Sequence, residues 1–333
     1  MPSYLPVLRP EWLALHDEPV LEPALPIIDA HHHLWLTPEF SYARPQLQAD
    51  AASGHAVRAT VFVDCLSHYR EQGPEALRPV GETAFVMREC GAGQGGAELC
   101  AGIVGWADLR LGAAVTPVLE QHLVAGQGRF RGVRSRAAWH ADAALHAPGA
   151  GDAGLLLQPR VQQAVRILGR LGLTLDVWVY HPQLQEVAQL AAACPQTTLV
   201  VNHCGGPLGV GPYAGRRDAV LGQWQAQIQA LAQYPNSVMK LGGLAMPRCG
   251  FGWHAQPVPV DSATLAQAWA PYIDHCIAAF GVERCMFESN FPMDKSGCSY
   301  RTLWNAFKRL AHGGSASEKA ALFEGTAARV YRL

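Results

Sequence analysis

The run Ile27 to Trp35, IIDAHHHLW, is an apolar β-type stretch that ends abruptly in Asp29, His31, His32 and His33. Side chains alternate sides along a strand, so His31 and His33 share one face while His32 points away. Two imidazoles entering one space can hold a metal ion or move a proton near neutral pH. The bland alternative is a hydrogen-bonded histidine cluster in the core.

Such residues need a scaffold that brings strand ends together. Short β-rich runs recur at Ile27 to Asp29, Ala59 to Asp64, Ala101 to Trp106, Phe130 to Val133, Thr174 to Val179, Leu199 to Asn202, Ser237 to Leu241 and Cys285 to Glu288. Between them, Val161 to Leu171, Pro182 to Ala192 and Leu303 to Ala311 place apolar residues three and four apart, as amphipathic helices do. Alternating strand and helix is the pattern of a parallel α/β protein, and eight runs fit a closed (β/α)8 TIM barrel, distorted and with loop insertions at its C-terminal face. Ser315 to Glu318 reads as a capping box opening a last helix that closes the base. Gly91 to Glu98 reads as a flexible loop, and Pro247 to Pro259 as an aperiodic lid or pocket wall. No linker divides residues 1–333, so one domain with an N-terminal extension over about the first 25 residues is expected.

Lysine and arginine total 26 against 27 aspartates and glutamates, which gives no reason to expect nucleic acid or an anionic membrane as partner. The first 25 residues lack the basic-then-apolar pattern of a signal peptide, and no apolar run is long enough to span a bilayer, so the cytoplasm is the expected location. Nine scattered cysteines form no CxxC pair and read as reduced, buried small hydrophobes. Cys204, beside His203, is read the same way in preference to a nucleophile.

The stretch DAHHHLW resembles the first-strand HxH motif of the amidohydrolase superfamily, in the branch holding sugar lactonases and the pyrone-dicarboxylate lactonase. FRGVR at Phe130 to Arg134, VNHCGGP at Val201 to Pro207 and CMFESNFPMD at Cys285 to Asp294 follow in the order that branch shows. The resemblance implies that His31 and His33 ligate a divalent ion or polarise a carbonyl, and that His203 is the later-strand histidine, with Asn202 where an acidic residue often precedes it. It also implies that Arg134, with Arg131 as a second candidate, binds a substrate carboxylate, for which the planar guanidinium fork is suited.

One departure matters. Relatives carry an aspartate at the end of the last strand that takes the proton of the attacking water, and Asn290 stands there in this chain. An amide cannot be a general base, so Asn290 orients a water or substrate group, or a nearby carboxylate does the proton work. Asp294 and Glu288 are the local candidates, with Asp294 preferred because its loop can turn back into the barrel mouth. Losing the aspartate weakens a divalent site, so no obligatory metal is expected. Zinc on His31, His33 and His203 stays the alternative, with His181 as a spare nitrogen.

Tyr180, His181 and Arg248 are further candidates for binding substrate, while Asp64, Ser67, Trp106, Asp108 and His254 would add to a polar mouth. The expected activity is opening of a lactone of a small carboxylated or hydroxylated molecule. A metal-dependent nonoxidative decarboxylase of aromatic or muconate-type acids, and a catalytically silent binding barrel, remain the alternatives. The expected partner is a small-molecule substrate, and assembly into a homo-oligomer is left open.

Overall fold

The computed structural model describes residues 5–91, 96–146, 149 and 151–333. Eight parallel strands run through it: β1 (Pro26–His32), β2 (Ala56–Val63), β3 (Glu98–Gly105), β4 (Phe130–Arg136), β5 (Thr174–Trp178), β6 (Leu199–Val201), β7 (Ser237–Leu241) and β8 (Cys285–Phe287). They pair in sequence order. The ring is drawn shut where His33 N donates to Phe291 O and Asn290 N donates to His31 O, both at 2.8 Å. The architecture is the (β/α)8 barrel expected from the strand and helix alternation.

An outer ring of helices follows the strands one by one: α1 (Arg44–Ala51), α2 (Val80–Cys90), α3 (Thr116–Gly126), α4 (Pro159–Arg170), α5 (Leu184–Ala193), α6 (Arg217–Leu231), α7 (Ser262–Phe280) and α8 (Tyr300–Leu310). The barrel interior is filled from below by Ile28, Ala30, Val61, Val63, Val104, Val200, Val238 and Met286. Each such aliphatic side chain contributes about 1.5–3 kcal/mol when fully buried. β4 runs on past its apolar portion to Arg136, because Arg134 and Arg136 stay in register with Asp176 and Trp178 of β5.

Strict alternation from Ile28 and Ala30, which face the interior, would turn His32 inward and His31 out. The register between β1 and β2 shifts between Asp29 and His32. An inserted residue of this kind re-aims the side chains that follow it. His32 therefore turns out to Thr60 Oγ1 at 2.9 Å, and His31 and His33 meet on the inner face.

The base closes as the capping signal implies. Ser315 and Glu318 form a reciprocal cap on α9 (Ala316–Ala320), which passes through one wide turn into α10 (Thr326–Tyr331). From α10, Val330 and Tyr331 enter the interior cluster. The Tyr331 hydroxyl reaches both carboxyl oxygens of Asp176 at 2.9 and 3.0 Å.

At the opposite end, the segment 247–259 holds two single turns, Pro247–Cys249 and Trp253–Ala255. The N-terminal segment braces it, with Trp12 Nε1 donating to Gln256 O at 3.0 Å and Arg9 bonding His254 O. Of the glycine-rich run 91–98, residues 92–95 lie outside the described residues, and Glu98 already belongs to β3. All nine cysteines are free and buried, Cys204 among them. Among the described residues no helix is long and apolar enough to cross a membrane.

Candidate active site

The parity that buries Met286 inside the barrel also sends Glu288 inward, one step past the end of β8. Glu288 is fully buried, and its Oε1 accepts from His203 N at 2.9 Å and from His203 Nδ1 at 2.7 Å. His203 follows β6 in the left-handed region at φ +56. A non-glycine residue held there costs about 1–3 kcal/mol and persists only where its surroundings over-determine it. The two bonds to Glu288 do part of that.

Gly242 and Gly243 after β7 do the rest by staying small. A Cβ on Gly242 would lie 2.5 Å from Glu288 Cγ, and one on Gly243, itself at φ +70, would lie 2.5 Å from His203 Cβ.

His33 Nδ1 donates to Val63 O at 2.8 Å, so its Nε2 carries a lone pair. His31 Nε2 lies 3.3 Å from that atom, and Lys240 Nζ lies 3.4 Å from His31 Nδ1. A chain of donors Lys240 to His31 to His33 to Val63 results. It leaves Glu288 Oε2 buried without a donor, although His31 Nδ1 sits only 2.9 Å away. Moving the His31 proton from Nε2 to Nδ1 would supply that donor but would set two Nε2 lone pairs against each other. A cation between them reconciles both demands. Two imidazole nitrogens each ~2.0–2.1 Å from a tetrahedral ion stand about 3.3–3.4 Å apart, the separation found here.

His31, His203 and Glu288 also each offer a ligand atom within 4.8 Å of one another. Glu288 Oε1 is already bound to His203, which makes Glu288 the carboxyl that orients the ligand rings. Burial holds His31 and His33 well below the ordinary histidine range, aided for His31 by Lys240 and for His33 by Arg134, so both rings are neutral as ligation requires.

Below this layer Lys240 Nζ pairs with Asp176 Oδ2 at 2.7 Å, both fully buried. Asn202 Nδ2 at 2.9 Å and the Tyr331 hydroxyl complete the acceptor shell of Asp176. A buried ion pair repays its desolvation only when its remaining polar atoms are bonded, as here.

Above it opens a cavity with Trp35, Trp178, Met246 and Met293 as apolar walls. His33, His203, Arg134, Arg136, Arg248 and Asn290 supply its polar surface. Apolar walls with a few convergent polar groups are the usual make-up of a small-molecule site. Arg136 pairs with Asp64 Oδ2, Arg134 Nε lies 3.6 Å from the same oxygen, and Tyr69 donates to Oδ1 at 2.9 Å. Although burial opposes it, the two guanidiniums bring Asp64 down to about 2. Asn290, at φ +53, donates through Nδ2 to Asp294, and its Oδ1 has no partner among the described residues.

The structure therefore brings together His31, His33, His203, Arg134, Arg248 and Asn290 of the residues singled out in the sequence. Four others fall elsewhere. Asp294 is buried beneath Asn290 with Ala245 N on its Oδ1 at 2.6 Å, and burial lifts it to about 8, so it is a bracket for two loops with no access to the cavity. Arg131 lies at the start of β4, opposite in parity to Arg134, and bonds Gly128 O and Arg332 O at the base. His181 accepts from Leu208 N at 3.3 Å and packs on Tyr213, away from the imidazole cluster. Tyr180 stands behind Arg248, its hydroxyl donating to Leu145 O at 2.5 Å.

Sequence reasoning ranked Glu288 below Asp294 and passed over Lys240, Asp176, Tyr331, Arg136, Trp178 and the Gly242–Gly243 pair. Strand parity from Met286 was a usable signal for Glu288, and parity from Arg134 for Arg136.

The family profile described as Amidohydrolase matches residues 28–333. The chain is 32% identical over 328 residues to the uncharacterized protein y4mH of Sinorhizobium fredii, covering 92% of this chain and 98% of that one. It is 29% identical to the L-fucono-1,5-lactonase of Burkholderia multivorans, covering 92% and 96%. A crystal structure of an amidohydrolase from Burkholderia multivorans with bound zinc superposes with a TM-score of 0.71 at 25% identity, covering 92% and 99%. The HxH pair, the later histidine and the barrel that unites them thus carry the resemblance seen in the motifs, and the chain belongs to the amidohydrolase family.

Proposed function

We propose that residues 1–333, acting as one barrel domain, hydrolyse the ring ester of a small hydroxylated or carboxylated lactone. The observation that carries this reading is the His203–Glu288 pair: the Nδ1 proton is committed to Glu288, so the bare Nε2 of a ring that lines the cavity can accept one. The similarity to an L-fucono-1,5-lactonase supports a ring ester as the bond attacked.

In this reading water attacks the lactone carbonyl carbon while its proton passes to His203 Nε2. The imidazolium so formed faces Glu288, as a carboxylate-backed histidine base requires. The oxyanion forms beside Arg134, in a half-enclosed site where such a donor acts more strongly than in water. As the tetrahedral intermediate collapses, the ring C–O bond breaks and His203 returns the proton to the leaving alkoxide. Asn290 Oδ1, without a donor among the described residues, accepts from the water or from a ring hydroxyl. A divalent ion, where bound, would be held by the Nε2 atoms of His31 and His33 and would polarise the carbonyl oxygen.

The test is proton release from a panel of lactones, run beside carbon dioxide release from aromatic acids. Ring opening that disappears in His203→Ala, with the circular dichroism spectrum retained, supports the reading. Carbon dioxide release without ring opening removes it.

A further inference from the structure

The charges around the mouth speak to the other end of the substrate. Arg134 and Arg136 share the single carboxyl of Asp64. Glu82, the next buried carboxyl of that group, is pushed well above the carboxylate range by burial and by Asp64, so it adds no countercharge. Arg248 has no carboxylate partner among the described residues. Three guanidiniums therefore face the carboxylates of Asp64 and Glu288, the second of them bound to His203, and a half-enclosed excess of positive charge is a standing demand for an anion.

Arg248 is the group free to meet it. Its guanidinium is positioned over the rings of Trp178 at 5.3 Å and Tyr180 at 5.5 Å, and it donates to the Tyr180 hydroxyl. Arg134 lies on the same Trp178 ring at 5.8 Å. Tyr180 uses one of the five N–H donors of Arg248, and the guanidinium makes no other hydrogen bond among the described residues. Arg248 also stands where the inner cavity passes, with Met246 and Met293, into an outer recess that includes Leu145 and Val210. An anion there lies at the outer end of a ligand whose other end meets the histidines.

We infer that Arg248 anchors a carboxylate of the substrate, and that the preferred class is a small lactone carrying a carboxylate on its outer end in place of a neutral sugar lactone. This rests on the lactonase reading and narrows it. The planar fork, steadied by Tyr180 and Trp178, leaves a pair of N–H groups for bidentate binding, which a flexible lysine would not reproduce.

The experiment compares a neutral hexonolactone with the hexarolactone whose terminal CH2OH is a carboxylate, in wild type, Arg248→Met and Arg248→Lys. Wild type is expected to favour the acidic lactone. Arg248→Met should raise its KM by ~10–100-fold, the range of charge-assisted hydrogen bonds, while kcat moves far less and the preference between the two lactones collapses. Arg248→Lys should recover part of the KM. In parallel, glutarate binding by calorimetry reads the anchor without turnover, and loss of glutarate binding in Arg248→Met is expected. Equal preference in wild type, an equal rise of both KM values, or glutarate binding untouched by Arg248→Met would each overturn the inference. Glutarate binding that depends on Arg248, in a protein that opens neither lactone, would sink the hydrolase reading and leave the carboxylate anchor standing.

Discussion

Glu288→Gln separates the orienting role of Glu288 from its packing. The amide oxygen can keep both bonds from His203, now at 2.9 and 2.7 Å. The amide nitrogen then falls where Oε2 was, 2.9 Å from His31 Nδ1. An amide nitrogen only donates, so it favours the His31 form with a bare Nδ1 and a protonated Nε2, and that proton occupies the space between His31 and His33. Zinc affinity should fall by ~10–100-fold, the usual effect of losing an orienting partner. Turnover should fall by ~100-fold or more, because His203 also loses the charge that steadies its protonated form. Stability should stay near wild type, since the isosteric amide leaves no new buried charge. The assay is zinc titration with a chromophoric competitor, lactone opening by proton release and thermal unfolding, all on the same preparation. A Gln variant that binds zinc as tightly as wild type and turns over within threefold of it would refute the tautomer argument.

Three more outcomes follow from the geometry. Asp294→Asn should lower turnover by less than ~10-fold, well short of losing a general base, which kinetics at saturating substrate would check. Its folded value of about 8 lies above the ordinary 3.8, so its stabilising effect is full below about pH 4 and is lost as pH rises through about 8. Melting temperatures measured from pH 5 to pH 8.5 should therefore fall less steeply in Asp294→Asn than in wild type. Tyr331→Phe removes a donor from buried Asp176 and should cost about 1–3 kcal/mol in denaturant unfolding; an unchanged midpoint would contradict the floor network. Gly243→Ala forces a Cβ to 2.5 Å from His203 at a positive φ, and should abolish turnover with a measurable drop in melting temperature.

Much of the frame was legible because it rests on local periodicity. Each expected strand appears, with ends displaced where pairing carries on past the apolar run, as at Arg134 and Arg136. The HxH pair was legible too, although the register shift near Asp29, invisible in the sequence, is what makes its inward aim work. Choosing Asp294 over Glu288 trusted the loop and overlooked parity: Met286 faces in, so Glu288 must. Arg131 lies at the base for the same reason, being odd where Arg134 is even. The Lys240–Asp176–Tyr331 network joins residues far apart in the chain, and no local pattern could pair them. The need for glycine at 242 and 243 arises from side chains of β8 and the β6 loop pressing against that backbone.

Tyr331 has a consequence for traffic. Together with Val330 it fills the barrel's lower end, and among the described residues the inner cavity opens toward the side where Arg248 and the N-terminal brace meet. Where entry and exit share that mouth, a ring-opened acid has to clear it before a fresh lactone can pass. Under that constraint a spent molecule that lingers at Arg248 competes directly with its successor, and inhibition by product should be competitive in form.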